Sequence, residues 1–223
     1  MPSRRSLLAK TLLITPSGAL SPGPLTAAAV AVGSSLGLLG GLAVALGHAA
    51  FELPYVAALT RAAGRVRGLL RGGAGRALMA VMAGFTAFFA AGLSEAALKG
   101  ASLSGNATLL AGGGLLGAFL LGVAYTGLNP YFLAWWATAG FPLLEESAEI
   151  PWGLAVMYPA HVWMDFAWLG LLAAGGGLAA AMGSTPYRIL LGLLSLVLWY
   201  YAALFAWRAL RTPGSRVPGA RRG

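Results

Sequence analysis

Apolar stretches long enough to cross a membrane alternate with short polar connectors along nearly the whole chain. A helix needs about 20 residues to cross a hydrocarbon core about 30 Å thick. Six such stretches occur, at Leu7–Val32, Leu38–Leu59, Ala77–Leu98, Ala107–Ala139, Pro151–Met182 and Tyr187–Trp207. The fourth and fifth are longer than one straight crossing and contain Pro and Gly, which predicts tilted or interrupted helices. The pattern therefore predicts an all-α integral membrane protein with six transmembrane helices.

Composition supports this interpretation and excludes several classes of protein. Of the 223 residues, 58% are hydrophobic and 9% are charged, whereas soluble domains carry about 25% charged residues. A soluble enzyme is therefore excluded. Because the chain has no Cys, disulfides and thiolate metal sites are excluded as well. The net charge of +9 comes from short connectors and not from a basic face, so we expect no nucleic-acid partner.

The basic residues indicate how the chain is oriented in the membrane. Short loops rich in Lys and Arg remain in the cytoplasm. With six spans and a cytoplasmic N-terminus, only Lys99 and Arg188 fall outside, and the other 13 of the 15 basic residues fall inside. We expect a multi-pass protein of the plasma membrane with both termini in the cytoplasm. Residues 1–207 would form one transmembrane domain, and residues 208–223 a basic, disordered tail.

The two halves of the chain contain corresponding features. Ser21-Pro22-Gly23-Pro24 interrupts the first span and Asn129-Pro130 interrupts the fourth. The separation of Pro22 from Pro130 along the chain is close to that of His48 from His161. This spacing predicts two three-helix repeats, at about residues 7–98 and 107–207, with helices 1 and 4 broken. A unit with an odd number of spans enters the membrane from the opposite side the second time, so the repeats are predicted to be inverted.

Each interruption has the sequence of a helix that stops and starts again. Ser21 and Asn129 are preferred N-cap residues, and Pro22 and Pro130 suit the first helical turn. The amides at such a helix start attract anionic groups, so two opposed starts predict a site for a carboxylate. Gly23 would allow close approach of substrate, and Pro24 leaves one amide fewer to satisfy. Past the second interruption, Tyr131 and Trp135 are candidates to line the cavity. The alternative is two packing kinks.

Two pairs of ionisable residues follow the interruptions. His48 and Glu52 lie four residues apart, as do His161 and Asp165, so each pair shares one helix face. A charge at the membrane centre costs about 3 kcal/mol on insertion scales, and such residues usually mark an ion or proton path. Two alternatives stay open, namely a hydrogen-bonded helix contact and a divalent metal site. The spacing alone does not distinguish them.

Other residue patterns favour structural roles. The Trp residues, Trp136 among them, are predicted to anchor or pack the helices. Glu145, Glu146 and Glu149 are predicted to form a solvated acidic loop. A channel built on two Asn-Pro-Ala elements would need a second copy, which this sequence lacks. An intramembrane hydrolase would have only Ser94 as nucleophile, and Ser94 has neither the flanking Gly nor a His in register. A structural subunit would not explain the ionisable pairs.

Three segments together resemble the LysE/RhtB group of amino-acid exporters: Ser21-Pro22-Gly23-Pro24, Leu128-Asn129-Pro130, and Asp165 with Trp168. The resemblance covers most of the chain. It implies six helices, export of lysine, homoserine, threonine or similar amino acids, and coupling to the proton gradient. The His48 and Glu52 pair departs from the better-studied exporters, and the wider superfamily that the resemblance implies includes metal exporters.

We therefore predict a transporter, not an enzyme, that exports amino acids or related zwitterionic metabolites as a proton-coupled antiporter working by alternating access. Glu52 and Asp165 would take the ammonium group or the coupling proton, with His48 and His161 adjusting them. No cofactor and no resident metal are expected. The alternative is an exporter of divalent cations that uses the two His and two acids as ligands. The sequence leaves open the substrate, the direction of transport, the coupling ion and whether the protein is a homodimer.

Overall fold

The structure is a computed structural model that describes residues 2–21, 23–69, 73–99 and 113–211. Every regular element in these ranges is an α-helix. The helices are α1 (Arg4–Ile14), α2 (Pro16–Ala19), α3 (Pro24–Leu69), α4 (Gly73–Lys99), α5 (Gly114–Gly127), α6 (Pro130–Ala137), α7 (Phe141–Glu149), α8 (Gly153–Ala181) and α9 (Ser184–Arg211). The predicted all-α class is confirmed.

Several of these helices are long and apolar enough to cross a membrane. Within the described ranges, four stretches qualify, at Pro24–Ala62, Arg76–Lys99, Gly153–Ala181 and Ser184–Arg211. A fifth arises if α5 and α6, which meet at an angle of 58°, are counted as one bent span. The chain is therefore an integral membrane protein. Helix α9 continues to Arg211, four residues past the predicted end of the transmembrane domain, and the rest of the predicted tail lies outside the described residues.

Helix α3 contains a reversal of the chain at Gly37. This residue has a positive φ of 58° and a non-helical ψ of −148°, a conformation that only glycine adopts readily. A Cβ atom placed on Gly40 would collide with the side chain of Val32, although residues eight apart in a straight helix are separated by about 12 Å. Gly33 and Gly41 likewise approach the same residue, Ala173 of α8. Helix α3 therefore consists of two arms, residues 24–36 and 38–69.

Close backbone packing fixes the centre of the molecule. The long arm of α3 lies against α8 on one side and α5 on the other. A Cβ atom on Gly122 would collide with the carbonyl oxygen of Val44, and one on Gly47 with that of Phe119. Small residues allow helix backbones to approach this closely in membranes. Beside this core, α4 and α9 pack against each other.

The first interruption lies at the predicted segment, and the helix that follows it begins at Pro24. Helix α2 ends at Ala19 and α3 begins at Pro24, with the carbonyl oxygen of Gly23 accepting a bond from the amide of Ala27. Pro24 is therefore the first residue of the helix that follows the break. A proline lacks the N–H that would need a partner in the first turn, so Pro24 suits this position for the reason given above for Pro22. Pro22 lies outside the described residues.

The second interruption is as the sequence predicts. Asn129 is extended and its side-chain oxygen accepts a hydrogen bond of 3.0 Å from the amide of Tyr131, while Pro130 is the first residue of α6. In contrast, the long fifth stretch is one unbroken helix, α8, despite Pro159. Residues 107–112 of the predicted fourth span lie outside the described residues.

The predicted acidic loop is wrong. Its residues belong to α7, an amphipathic helix that buries Phe141, Leu143 and Leu144. One carboxylate oxygen of Glu146 lies 2.6 Å from Nζ of Lys10 in α1. The apolar residues at the start of α7 lie on one face of the helix, and this face packs against α1 and α3. The charge pattern alone does not indicate such a buried face.

Candidate functional site

Four ionisable side chains from two helices meet in the interior and form what we call the His–acid cluster: His48, Glu52, His161 and Asp165. Each is at most 5% exposed. Glu52 Oε1 lies 3.4 Å from His48 Nε2 and 3.3 Å from His161 Nε2. Asp165 Oδ1 lies 3.9 Å from His48 Nε2, and its Oδ2 lies 3.6 Å from His161 Nε2. Each imidazole therefore contacts both carboxylates.

The packing of α3 against α8 explains this arrangement. The long arm of α3 runs antiparallel to α8, because Gly41 lies near Ala173, His48 near Asp165 and Glu52 near His161. The spacing of four residues places each His and its acid on one helix face. Two such faces packed in opposite directions bring each His against the acid of the other helix. The sequence predicts the two pairs, and the structure shows that they form one cluster.

Residues from the interrupted spans hold the cluster in place. His48 Nδ1 and Thr126 Oγ1 lie 2.9 Å apart, as do His161 Nδ1 and Thr15 Oγ1. The indole N–H of Trp136 donates a bond of 2.9 Å to Glu52 Oε1. Trp136 is fully buried, so the prediction that it only anchors or packs is incomplete. These three residues orient the ionisable groups.

Part of the cluster's bonding capacity is unused. Among the described residues, His48 Nε2, Glu52 Oε2 and Asp165 Oδ2 are buried and have no hydrogen-bond partner. A buried polar atom without a partner costs about 1 to 3 kcal/mol, more when it is charged. Such a cost is usually retained only where the atoms serve a function. The cluster can therefore bind a proton, a cation or a polar group.

The cluster borders a small cavity that also reaches both interruptions. The cavity has a volume of about 60 Å³, which is room for about four or five waters. Of the residues predicted to bind substrate or ions, those that line it are Ser21, Gly23, Asn129, Tyr131, Trp135, His48, Glu52, His161 and Asp165. Pro24 and Pro130 do not line it and instead begin the helices that follow.

Aromatic side chains form one wall of the cavity. Trp135 and Trp136 lie against the ring of His161, with ring centroids 5.4 and 4.7 Å away. Behind them an apolar group that includes Leu7, Leu144 and Met157 fills the end of the molecule where α1 and α7 meet. The cavity is therefore closed on that side by apolar packing.

The ligand chemistry of the cluster also suits a divalent cation. His48, Glu52 and Asp165 each offer one ligand atom, and these three atoms lie within 4.8 Å of one another. Imidazole and carboxylate ligands bind zinc at about 2.0 to 2.2 Å, so these three would have to draw closer around an ion.

Thr15 and Thr126 are functional candidates that the sequence analysis does not identify. A threonine in an apolar helix usually bonds to its own backbone and attracts no attention. One signal is present in the sequence, since Thr15 and Thr126 are separated by nearly the same length of chain as His48 and His161. Both threonines also lie shortly before an interruption.

Comparison with known proteins agrees with the sequence and the fold. No curated protein and no solved structure matches the chain. A family model described as LysE type translocator matches residues 16–209, a range that includes both interruptions and the His–acid cluster. The chain therefore belongs to the LysE type translocator family, whose members are transporters and not enzymes.

Proposed function

We propose that the protein exports amino acids or related zwitterionic metabolites by proton-coupled alternating access. Membership of the LysE type translocator family supports membrane transport of amino acids or related compounds. The observation that carries the proposal is the buried His–acid cluster beside a cavity that both helix interruptions border. Ionisable groups this deep in a membrane protein usually mark the path of an ion or a substrate.

The proposal includes six membrane passes in two inverted repeats. The first pass would comprise α1, α2 and the short arm of α3, and the second pass the long arm. The third to sixth would be α4, the bent pair α5 and α6, α8, and α9. Equivalent helices then pack against each other, α3 against α8 and α4 against α9, which is compatible with a two-fold relation between the repeats. The reciprocal contacts between His48 and Asp165 and between His161 and Glu52 support the same relation.

The interruptions supply groups suited to the substrate carboxylate. Asn129 caps α6. Asn129, Ser21 and Gly23 all line the cavity. Amides at a helix start carry a partial positive charge, and this charge attracts an anion most strongly where water is excluded. Glu52 and Asp165 would then hold the ammonium group or the coupling proton. The basic connectors support an orientation with both termini in the cytoplasm.

Binding to the purified protein tests this function. We expect thermal stabilisation in detergent by one class among L-lysine, L-homoserine, L-threonine and the other common amino acids. A ligand at 100 times its dissociation constant adds about 2.7 kcal/mol, which a melting curve resolves. The stabilisation should weaken in Asp165→Asn and persist in Glu95→Gln, where an exposed acid far from the cluster pairs with Lys99. Stabilisation by no amino acid would contradict the proposal.

A divalent-cation exporter is the second candidate, because three ligand atoms of the cluster lie within 4.8 Å of one another. In that case Mn²⁺, Zn²⁺, Ni²⁺ or Cd²⁺ would stabilise the protein where amino acids do not. Replacing both histidines by Gln would remove the effect of the metal. Stabilisation by amino acids and not by metals would exclude this candidate.

A further inference from the structure

Each histidine of the cluster is bonded to a threonine from the interrupted span of the other half of the chain. Thr126, at the end of α5, contacts His48 Nδ1, and Thr15, between α1 and α2, contacts His161 Nδ1, both at 2.9 Å. The two threonines are at most 1% exposed. Their separation along the chain nearly equals that of the two histidines. The two contacts are therefore equivalent under the proposed repeat.

The hydrogen bonds of Thr126 determine which nitrogen of His48 carries a hydrogen. The Thr126 hydroxyl donates to the carbonyl oxygen of Gly122 at 2.7 Å. Since a hydroxyl has one hydrogen, it can only accept from His48, so the hydrogen lies on Nδ1. The other nitrogen, Nε2, faces Glu52 and Asp165. Thr126 thereby presents to the carboxylates the nitrogen that is available for binding.

Both threonines lie close to the interruptions of their spans. Thr15 precedes the first break, where helix α2 ends at Ala19, and Thr126 precedes the capping residue Asn129 by three positions. A hydrogen bond is lost once its heavy atoms separate beyond about 3.5 Å. A shift of about 1 Å at either threonine therefore breaks its bond or moves the imidazole relative to the carboxylates.

We propose that Thr15 and Thr126 are paired positioning residues that couple the occupancy of the His–acid cluster to the bending of the two interrupted spans. The inference rests on the proposed transport function. A ligand or proton bound by the cluster changes the position of the imidazoles, and the threonines transmit that change to the helix segments that carry Ser21 and Asn129. Such a chain of direct contacts can carry coupling between two sites.

Nitrogen NMR tests the geometry without any substrate. The chain has only two histidines, so protein labelled with ¹⁵N-histidine shows two imidazole rings. We expect the ring of His48 to carry a hydrogen on Nδ1 in the wild-type protein and in Thr126→Ser. In Thr126→Val the signals of this ring should change and those of His161 should not. A hydrogen on Nε2 alone in the wild-type protein, or no change in Thr126→Val, would overturn the proposal.

Transport in proteoliposomes tests the coupling. For whichever of L-lysine, L-homoserine and L-threonine the wild-type protein transports, Thr15→Val and Thr126→Val should each lower the turnover at least tenfold. The concentration for half-maximal transport should change less than threefold, and the Ser variants should recover at least a third of the rate. Thr11→Val is the matched control, because Thr11 is buried one turn before Thr15 and donates only to the carbonyl oxygen of Leu7.

The outcomes separate the two proposals. Val variants with wild-type turnover, or equal losses in Thr11→Val, would overturn the role of the threonines while leaving the transport function intact. If the wild-type protein neither binds nor transports any of the common amino acids, the proposed function fails at that point. The NMR result then still decides whether Thr126 holds His48 as inferred.

Discussion

Replacing Gly122 by Ala should destabilise the protein through one identifiable backbone contact. A Cβ atom at this position would collide with the carbonyl oxygen of Val44 and lie 3.0 Å from the amide nitrogen of His48. Because both neighbours are backbone atoms of α3, no side chain can move aside. To restore ordinary contact, α5 and the long arm of α3 must separate by about 1 Å.

This separation would also break the contact one turn further along. Thr126 follows Gly122 by four residues, and its bond to His48 is already 2.9 Å long, so an added separation of about 1 Å exceeds the limit for a hydrogen bond. Overpacking costs about 1 to 3 kcal/mol, and the lost buried hydrogen bond about 1 to 3 kcal/mol. The higher helix propensity of Ala returns about 1 kcal/mol. We expect a net loss of roughly 1 to 5 kcal/mol.

Thermal unfolding in detergent measures this loss. For a chain of this size 1 kcal/mol corresponds to about 2 to 4 °C, so Gly122→Ala should melt roughly 2 to 20 °C below the wild-type protein. Gly92→Ala on α4 is the matched control, since a Cβ atom there would have no neighbour within 4 Å, and its melting temperature should be unchanged or higher. Equal melting temperatures for the two variants would refute the argument.

Three further predictions follow from individual contacts. Trp136→Phe removes the donor to Glu52 and should reduce transport at least tenfold with a loss of stability of about 1 to 3 kcal/mol; unchanged transport in proteoliposomes would contradict this role. Asn129→Ala removes the cap of α6 and should cost about 1 kcal/mol and raise the substrate concentration for half-maximal transport; an unchanged value would exclude Asn129 from the substrate site. Lys10→Met combined with Glu146→Gln removes an ion pair whose Lys10 side chain is 54% exposed, and should change stability in detergent by less than about 1 kcal/mol; a loss above about 2 kcal/mol would show that this pair contributes to the fold.

The sequence predicts the fold class and the main polar groups because both follow from local chemistry. Long apolar stretches can only be membrane helices, and the sequence Asn129-Pro130 is both a cap and a helix start. The structure confirms that start at α6. At the first interruption Pro22 and Pro24 are equally suited to begin a helix, so local chemistry does not decide between them, and α3 begins at Pro24.

The contacts between distant residues could not be predicted in the same way. The cluster depends on the position of α3 along the axis of α8. That position is set where glycines of one helix, such as Gly33, Gly41 and Gly176, approach the backbone of the other. The bond between Thr15 and His161 joins residues 146 positions apart, and no spacing within one helix indicates it. The charge pattern predicts a loop in place of helix α7 because it takes account of the three glutamates and not of the apolar face formed by residues such as Leu143 and Leu144.

Gradient-driven transport by Asp165→Asn tests the central claim most directly, since Asp165 contacts both histidines of the cluster. The assay is uptake or efflux of L-lysine, L-homoserine and L-threonine in proteoliposomes with an imposed proton gradient, beside Glu95→Gln as the control with an exposed acid. Our account predicts that Asp165→Asn folds, with a melting temperature close to that of the wild-type protein, and loses at least nine tenths of the transport that Glu95→Gln retains. Transport by Asp165→Asn at the wild-type rate would contradict the assignment of the His–acid cluster as the coupling site.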